Sequence, residues 1–440
     1  MIKSIRPKER DIIIHSLRGG VVPRLGLQHV QVGRNEELKS FVKNIETMVD
    51  GGTAFRMVIG EYGSGKTFFL SLVRSIALEK GLVVMNADLS PTKRLYSSNG
   101  QARLLFSELT QSLSTRTKQD GGALSNILEK FISIARQESQ EKGCDVSVVI
   151  FEKLKELNDY TDGYNFATAV SKYWEGYDTG NDVLKENALK WLRGEYTSKI
   201  ETMRDLSIRE YINDAAFYNS LKLYSILVRK AGYKGLLINL DEMVNLYKIP
   251  TSVSRKSNYE VILNILNDTL QGNLSGIGFV MGGTPDFLTD SYRGLYSYEA
   301  LRSRLAENSF SNALGLIDYN STVLRLSNLT QEEFLILLQN LRHVFACGKS
   351  EDYLLPDNAL IAFMNHCANR IGESYFRTPR TTIKAFLDLL SILGQYPSVK
   401  WTDVIENIDI IADSEQSEFG KRNISQSENN SDDEFASFKL

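Results

Sequence analysis

One eight-residue segment constrains this chain more than any other: Gly60-Glu61-Tyr62-Gly63-Ser64-Gly65-Lys66-Thr67. It matches in full the Walker A pattern, in which a glycine and four residues of any type precede Gly-Lys and a serine or threonine. The segment follows the apolar run Phe55 to Ile59 and precedes a helix predicted to begin near Phe68. This strand, loop and helix context is the one the motif requires, so the sequence predicts a P-loop fold.

Each part of the motif has a role in binding a nucleotide. The glycines let the backbone wrap around phosphates, and the amino terminus of the following helix adds its dipole. Lys66 is predicted to reach the β and γ phosphates, and the Thr67 hydroxyl is predicted to be a Mg²⁺ ligand. We therefore expect ATP and Mg²⁺ as cofactors, with residues Gly60 to Phe68 contacting the nucleotide and Lys66 also serving in catalysis.

A second apolar run, Leu236 to Leu240, ends in the acids Asp241 and Glu242. This is the Walker B form, in which Asp241 would hold Mg²⁺ and Glu242 would polarise the attacking water. A lone Asp-Glu pair is commonly a solvated surface feature, but this pair follows a complete Walker A motif. The two motifs together predict an ATPase.

The run Ile277 to Met281 delivers Gly282-Gly283-Thr284 to the same predicted sheet edge. A polar side chain there can sense the γ-phosphate or position the attacking water, so Thr284 is the candidate for the residue called sensor 1. The alternative is that Thr284 only caps the helix that begins at Pro285.

Three arginines are candidates for contacts with phosphate. Arg302 and Arg304 lie on a predicted helix before the last strand, where ring-forming ATPases place an arginine finger that reaches a neighbour's γ-phosphate. Arg304 is the first choice, and this role predicts a homo-oligomer; the alternative is a surface or ion-pair role. Arg380 follows Thr378-Pro379 at a helix start, from which it could point back at the nucleotide as sensor 2.

Val32 and Gly33 are candidates for the adenine side of the site. With Arg34 they precede a predicted helix upstream of the first strand. Some ATPases form their adenine pocket from this part of the chain.

The order of apolar runs and helical patterns predicts the fold class. The short apolar runs are Phe55 to Ile59, Leu82 to Asn86, Leu236 to Leu240, Ile277 to Met281 and Thr322 to Leu326. Alternation with helices indicates α/β architecture: a P-loop NTPase of the AAA+/ASCE type with a three-layer αβα parallel sheet. We predict a helical lead-in (1–50), an ATPase core (51–328) with a helical insertion (about 91–233), a helical lid (329–412) and a disordered acidic tail (413–440).

Composition excludes several classes of protein. The formal net charge of −3 over 440 residues gives no global basic signature for nucleic acid. Three scattered cysteines, Cys144, Cys347 and Cys367, do not predict disulfides or a zinc site. No apolar run is long enough to span a bilayer, and Met1 to Arg10 lacks the apolar region of a signal peptide. We expect a cytoplasmic protein without membrane contact.

Several segments outside the Walker motifs carry a resemblance to a known family. They are Leu17-Arg18-Gly19-Gly20 with Pro23, Trp191-Leu192-Arg193-Gly194-Glu195, Gly232-Tyr233-Lys234-Gly235, Asn258-Tyr259-Glu260, Gly282-Gly283-Thr284-Pro285 and Gly294 to Leu301. Together with Val32-Gly33-Arg34 and the Walker motifs, they make nearly the whole chain resemble the BrxD-like ATP-binding proteins of BREX phage-resistance systems and related bacterial defence islands.

The resemblance implies an initiator-like or helicase-loader-like AAA+ ATPase that works on DNA beside a helicase or another partner in antiviral defence. Candidate DNA contacts are Arg255-Lys256 and the helical stretch around Lys190 to Arg204, although a solvated helix face also explains the latter. The competing hypothesis is a nucleotide-gated switch, related to STAND signalling ATPases, with little DNA-dependent turnover.

The carboxyl terminus has its own signature. Acidic residues precede Phe435, Phe438 and Leu440, at the end of a polar stretch predicted to be disordered. Exposed aromatic side chains on a flexible tether are typical of a docking peptide, whose partner would be a helicase or another defence-system protein. The alternatives are that the tail folds back on a basic surface of its own chain, packs on its own domain or has no role.

Overall fold

The computed structural model describes residues 5–407, except for the side chains of residues 311 and 312. The described chain divides into two compact units. Residues 34–61 and 65–326 form what we call the sheet unit, and residues 5–33, 62–64 and 327–407 form the terminal unit. The predicted docking residues Phe435, Phe438 and Leu440 lie outside the described residues, as does the rest of the segment from residue 413.

The amino-terminal part of the chain contributes to both units. In the terminal unit, α1 (Pro7–Arg18) begins with proline in its first turn, where the missing N–H has no helical partner to lose, and α2 (Leu27–Val30) follows. In the sheet unit, α3 (Asn35–Val49), β1 (Thr53–Ile59), α4 (Lys66–Glu79) and β2 (Val83–Asp88) follow in turn. The boundary between the two units falls after Gly33.

A long helical segment separates β2 from β3. It contains α5 (Gln101–Gln111), α6 (Leu124–Lys142), α7 (Val146–Leu154), α8 (Gly163–Thr179), α9 (Asp182–Leu192), α10 (Lys199–Leu206) and α11 (Phe217–Lys230). Their apolar faces meet around fully buried rings, including Phe166, which packs edge-on against Tyr224 with centroids 5.3 Å apart. Each buried ring removes roughly 150–250 Å² from water, so the segment is a packed part of the core.

The rest of the sheet unit alternates strands with shorter helices. Its elements are β3 (Leu236–Asp241), α12 (Val244–Tyr247), α13 (Ser252–Leu270), β4 (Ile277–Gly283), α14 (Pro285–Thr289), α15 (Glu299–Arg304), α16 (Ser309–Ala313) and β5 (Val323–Arg325).

The five strands form one parallel sheet in the order β2-β3-β4-β1-β5. Parallel strands covered by helices are buried on both faces and therefore read as continuous apolar runs. The five predicted runs coincide with the five strands, which confirms that prediction. The mixed α/β fold with a parallel sheet, expected from the sequence, is confirmed as well.

One buried charge interrupts this apolar pattern. Arg56 in β1 is 3% exposed, and burial lowers its pKa to about 10. Its guanidinium donates to the carbonyl oxygens of Tyr319 and Ser321 and lies 5.0 Å from the centroid of the Phe41 ring. Arg56 therefore fixes the segment before β5 against β1.

The carboxyl-terminal part of the terminal unit is helical. It contains α17 (Gln331–Phe345), α18 (Asp357–Ile371), α19 (Ser374–Arg377), α20 (Pro379–Gln395) and α21 (Trp401–Asn407). Thr330 and Glu333 cap α17 reciprocally, which satisfies two backbone N–H groups at the start of the helix. Arg18 of α1 forms an ion pair of 2.7 Å with Asp388 of α20. No helix in residues 5–407 has the length and apolar character needed to cross a membrane.

Candidate ATP and magnesium site

Residues 60–65 connect β1 to α4. Gly63 and Gly65 have φ angles of 80° and 84°, in the left-handed region where a side chain is disfavoured. The loop is tied to the neighbouring strand because the Gly60 N–H donates to the Gly283 carbonyl at 3.1 Å. Gly63 and Gly65 are thus required by the backbone conformation of the loop.

The side chain of Lys66 folds back over the loop. Its ammonium donates to the carbonyl oxygens of Gly60 at 2.9 Å and Glu61 at 2.8 Å. Burial lowers the pKa of Lys66, while the carboxylates of Asp241 and Glu242 oppose this shift. The lysine head is therefore held at the loop, beside both predicted acids.

Two oxygen ligands predicted from separate motifs meet in the structure. The Thr67 hydroxyl donates to Asp241 Oδ2 at 2.8 Å, although the two residues are 174 positions apart in the chain. Asp241 Oδ1 accepts from the Glu242 N–H at 2.8 Å. A Cβ atom on Gly282 of β4 would lie 2.4 Å from Asp241 Oδ1, so the neighbouring strand leaves just enough space for this carboxylate.

The Thr67 hydroxyl and the Asp241 carboxylate suit Mg²⁺ better than they suit a metal ion whose ligands all come from the protein. Mg²⁺ is usually bound by one or two protein oxygens, with phosphate oxygens and water completing the octahedron. Thr67 and Asp241 supply two such oxygens. Within residues 5–407, no group of three or more His, Cys, Asp and Glu side chains is arranged to hold a metal ion.

Glu242 has an unusual backbone conformation for a residue with a long side chain. Its φ angle is 56°, in the left-handed region, which costs roughly 1–3 kcal/mol for such a residue. The Asn245 amide stabilises the turn by donating to the carbonyls of Glu242 at 3.2 Å and Leu89 at 2.8 Å. Burial, together with the carboxylate of Asp241, raises the pKa of Glu242, and Lys66 opposes the shift.

A third acid lies at this edge of the sheet and was not anticipated. Asp88 ends β2 and is the register partner of Asp241 in β3. Burial by the surrounding protein raises its pKa to about 6, and the carboxylates of Asp241, Glu108 and Glu242 add to the rise. The predicted second strand stopped at Asn86, so the polar residue that ends the strand was overlooked.

Thr284 lies immediately after β4 and is buried. Its hydroxyl accepts from the Phe287 N–H at 3.4 Å and caps α14. The capping role proposed as the alternative is therefore present, at the same sheet edge as Asp241. Capping and a contact with a bound phosphate do not exclude each other.

The arginine candidates of the sheet unit lie on helices α13 and α15. Arg302 and Arg304 are exposed on α15, and Arg304 donates to the Ala300 carbonyl of its own helix at 2.9 Å. Arg255, a candidate for DNA contact, is 8% exposed and donates to the Ile249 carbonyl at 2.8 Å. Arg255 therefore has a structural role, whereas the neighbouring Lys256 is exposed.

The terminal unit carries the remaining candidates. Val32 is half-buried, and Gly33 has a φ angle of 62°; a Cβ atom there would lie 2.3 Å from Glu333 Oε1. A Cβ atom on Gly20 would lie 2.5 Å from Arg380 Nε. One on Gly63 would lie 3.1 Å from the Cα atom of Thr378. Thr378, two residues before Arg380, thus packs against Gly63.

Comparison with known proteins identifies one family. The model of the family described as BREX system ATP-binding protein BrxC/D matches residues 5–409 of the chain. A comparison with curated proteins gives no match.

Proposed function

Because the chain belongs to the family of BREX system ATP-binding proteins BrxC/D, we propose that it hydrolyses ATP with Mg²⁺ and acts on DNA beside a helicase-type partner. The family itself implies ATP as a ligand and an ATP-binding role in phage defence. Hydrolysis of ATP, action on DNA and the helicase-type partner are our proposals. We also propose that the protein acts in the cytoplasm.

The contact between Thr67 and Asp241 carries the proposal for hydrolysis. The Thr67 hydroxyl lies 2.8 Å from the Asp241 carboxylate at the end of β3. This is the spacing expected for two ligands of one Mg²⁺ ion. Bound Mg²⁺ would supply positive charge that offsets the negative charge on the β and γ phosphate oxygens. Lys66 would leave the carbonyls of Gly60 and Glu61 to bind the same oxygens.

Glu242 would act on the attacking water. A carboxylate with a raised pKa is a stronger base than an ordinary glutamate, and Glu242 adjoins the Mg²⁺ ligand Asp241 in the chain. Thr284 would hold the water or the γ-phosphate from the end of β4. Val32 and Gly33 would line the adenine side, with Arg380 as sensor 2 and Arg304 reaching the site of a neighbouring copy.

We also propose the AAA+/ASCE layout for the fold. The strand order supports it, because β4 lies between the strand that leads into the P-loop and the strand that ends in the acidic pair. In this layout residues 51–328 are the ATPase core, about 91–233 the helical insertion, and 329–412 the lid.

The decisive experiment measures ATP hydrolysis by the purified chain, alone and with single-stranded or double-stranded DNA. Glu242→Gln should still bind nucleotide but lose turnover by roughly 10²–10⁴-fold, because it removes the base. Lys66→Ala should lose nucleotide binding. Glu141→Gln, an exposed residue of α6, is the matched control and should behave as wild type.

Each outcome separates the two candidate functions. Turnover that rises with DNA and disappears in Glu242→Gln supports a DNA-acting ATPase. Tight ATP binding with little turnover, unaffected by DNA, would instead favour the nucleotide-gated switch.

A further inference from the structure

Of the four cations in the helical stretch proposed for DNA contact, three are paired with acids. Lys199 and Glu210 form an ion pair of 2.5 Å, and Arg204 and Asp205 one of 2.7 Å. The Lys190 ammonium lies 4.3 Å from the centroid of the Tyr196 ring. This face is therefore a solvated surface with its charges largely compensated.

The opposite edge of the sheet holds a turn that has no part in the nucleotide site. Gly232-Tyr233-Lys234-Gly235 connects α11 to β3 at the amino ends of the strands. The Lys234 N–H donates to the Gly81 carbonyl at 3.1 Å, and the Val83 N–H donates to the Gly235 carbonyl at 2.9 Å. A Cβ atom on Gly235 would lie 2.5 Å from the Gly276 carbonyl oxygen. The backbone that carries Lys234 is thus rigidly fixed.

Other cations are held around this turn. The Lys130 ammonium lies 3.8 Å from the centroid of the Tyr233 ring and donates to the Gly232 carbonyl at 3.4 Å. Arg229 donates to the Ser275 hydroxyl at the start of β4. Both cations are therefore ordered by the protein and remain exposed to solvent.

A second group of cations lies at the start of β2. The bridge between Val84 and Ser114 brings the segment with Arg116 and Lys118 beside this strand. Arg116 pairs with Glu79 at 3.4 Å, at the end of α4, where Lys80 pairs with Glu46 at 3.0 Å. We call these cations and those around the turn the amino-edge basic surface: Lys80, Arg116, Lys118, Lys130, Arg229 and Lys234.

The charge of this surface is only partly compensated. Within the described residues, Lys118, Lys130, Arg229 and Lys234 form no ion pair with an acidic side chain, and the pairs of Lys80 and Arg116 are exposed. Exposed ion pairs are weak, so their cations can exchange an acid for a phosphate at little cost. The surface is therefore complementary to a chain of phosphates.

We propose that the amino-edge basic surface binds the phosphate backbone of double-stranded DNA without reading its sequence. The proposal rests on the DNA-acting function given above. Tyr233 is covered by Lys130 and presents no free ring for stacking on a base, which favours backbone contact over single-strand binding. β3 has six residues, so this edge lies roughly 20 Å from the acidic pair, and DNA and ATP can bind at the same time.

The test is the salt dependence of DNA binding by the full chain. Anisotropy of a labelled random-sequence duplex is measured between about 50 and 200 mM salt. The triple variant Lys118→Gln, Arg229→Gln, Lys234→Gln should bind more weakly at every salt concentration. Because each phosphate contact contributes about 0.9 to the slope of log K against log salt, the slope should become shallower by roughly 3. The control, Lys190→Gln, Lys199→Gln, Arg204→Gln, removes the same charge and should retain the wild-type slope.

Two results would overturn the proposal: equal losses in the two triple variants, or no duplex binding by the wild-type chain. Neither affects the function proposed for the nucleotide site, since turnover without DNA is measured separately. A synthetic peptide of residues 413–440 provides a further comparison. If this acidic peptide binds and the test variant abolishes that binding while duplex affinity is unchanged, the surface takes an acidic peptide and not DNA.

Discussion

The carboxyl edge of the sheet and helix α15 both carry charged groups proposed for hydrolysis, and they hold these groups in different ways. At the sheet edge, Lys66 donates to two loop carbonyls and Asp241 accepts from Thr67 and from the backbone of Glu242. On α15, Arg302 and Arg304 are exposed, and Arg304 donates to a carbonyl of its own helix.

The difference indicates which groups serve the nucleotide bound to the same chain. Side chains fixed by several contacts act where the backbone places them, and little entropy remains to be lost when the nucleotide binds. A long exposed arginine can reach outward to a second molecule, whose phosphate would be the partner that orders it. The comparison therefore predicts that the sheet edge works in cis and α15 in trans.

The largest expected effect comes from α15. Arg304→Ala should lower turnover by roughly 10³-fold, because an arginine finger stabilises transition-state charge, while the affinity for ATP changes little. Arg302→Ala changes the other candidate on the same helix and should retain most of the activity if Arg304 is the finger. Turnover and ATP affinity are both measured above the concentration at which the chain self-associates.

Mixing two inactive variants tests the assignment in trans. Arg304→Ala keeps an intact Glu242, and Glu242→Gln keeps an intact Arg304, so a mixed assembly contains complete sites. We expect the mixture to recover a substantial fraction of the wild-type turnover. A mixture as inactive as its components would contradict the trans role and the comparison built on it.

A smaller effect is expected at the sheet edge from a change that adds a single methyl group. Gly282→Ala would place a Cβ atom 2.4 Å from Asp241 Oδ1, and the carboxylate would have to move. Displacing a metal ligand in this way should weaken Mg²⁺-dependent ATP binding by roughly tenfold or more. The Mg²⁺ dependence is measured by titrating Mg²⁺ and following the binding of fluorescent ATP.

Gly394→Ala is the control for adding a methyl group, since its nearest neighbour would lie at an ordinary 3.5 Å. Mg²⁺ dependence should be unchanged in this variant. If Gly282→Ala also left it unchanged, Asp241 would not be positioned as a ligand by the neighbouring strand.

The sequence predicts the strands well because each is buried on both faces and reads as an uninterrupted apolar run. The start of α17 also depends on local residues, since Thr330 and Glu333 satisfy the helix amino terminus. Strand order is different in kind. It depends on pairing between distant segments, such as β1 with β4, which no local pattern records.

The same distinction explains what was missed at the site. Asp88 becomes relevant only because β2 pairs with β3 in a register that aligns it with Asp241. Arg255 looks like an exposed cation in the sequence, but it is buried and donates to the Ile249 carbonyl. Buried Arg56 likewise depends on carbonyls more than 260 positions away in the chain. The sequence shows which residues are charged, but the groups that they contact lie far away in the chain.

The smallest effect separates the two roles of Thr284. Thr284→Ala removes the cap of α14 and should lower the free energy of unfolding by about 1 kcal/mol. If Thr284 also positions water or phosphate, turnover at saturating ATP falls severalfold well below the melting temperature, and Thr284→Ser restores it. Asn181→Ala is the control, since it removes the cap of α9 at a similar cost and should leave turnover unchanged. Equal turnover in Thr284→Ala and Asn181→Ala would assign Thr284 to capping alone and remove it from the groups that the sheet edge supplies in cis.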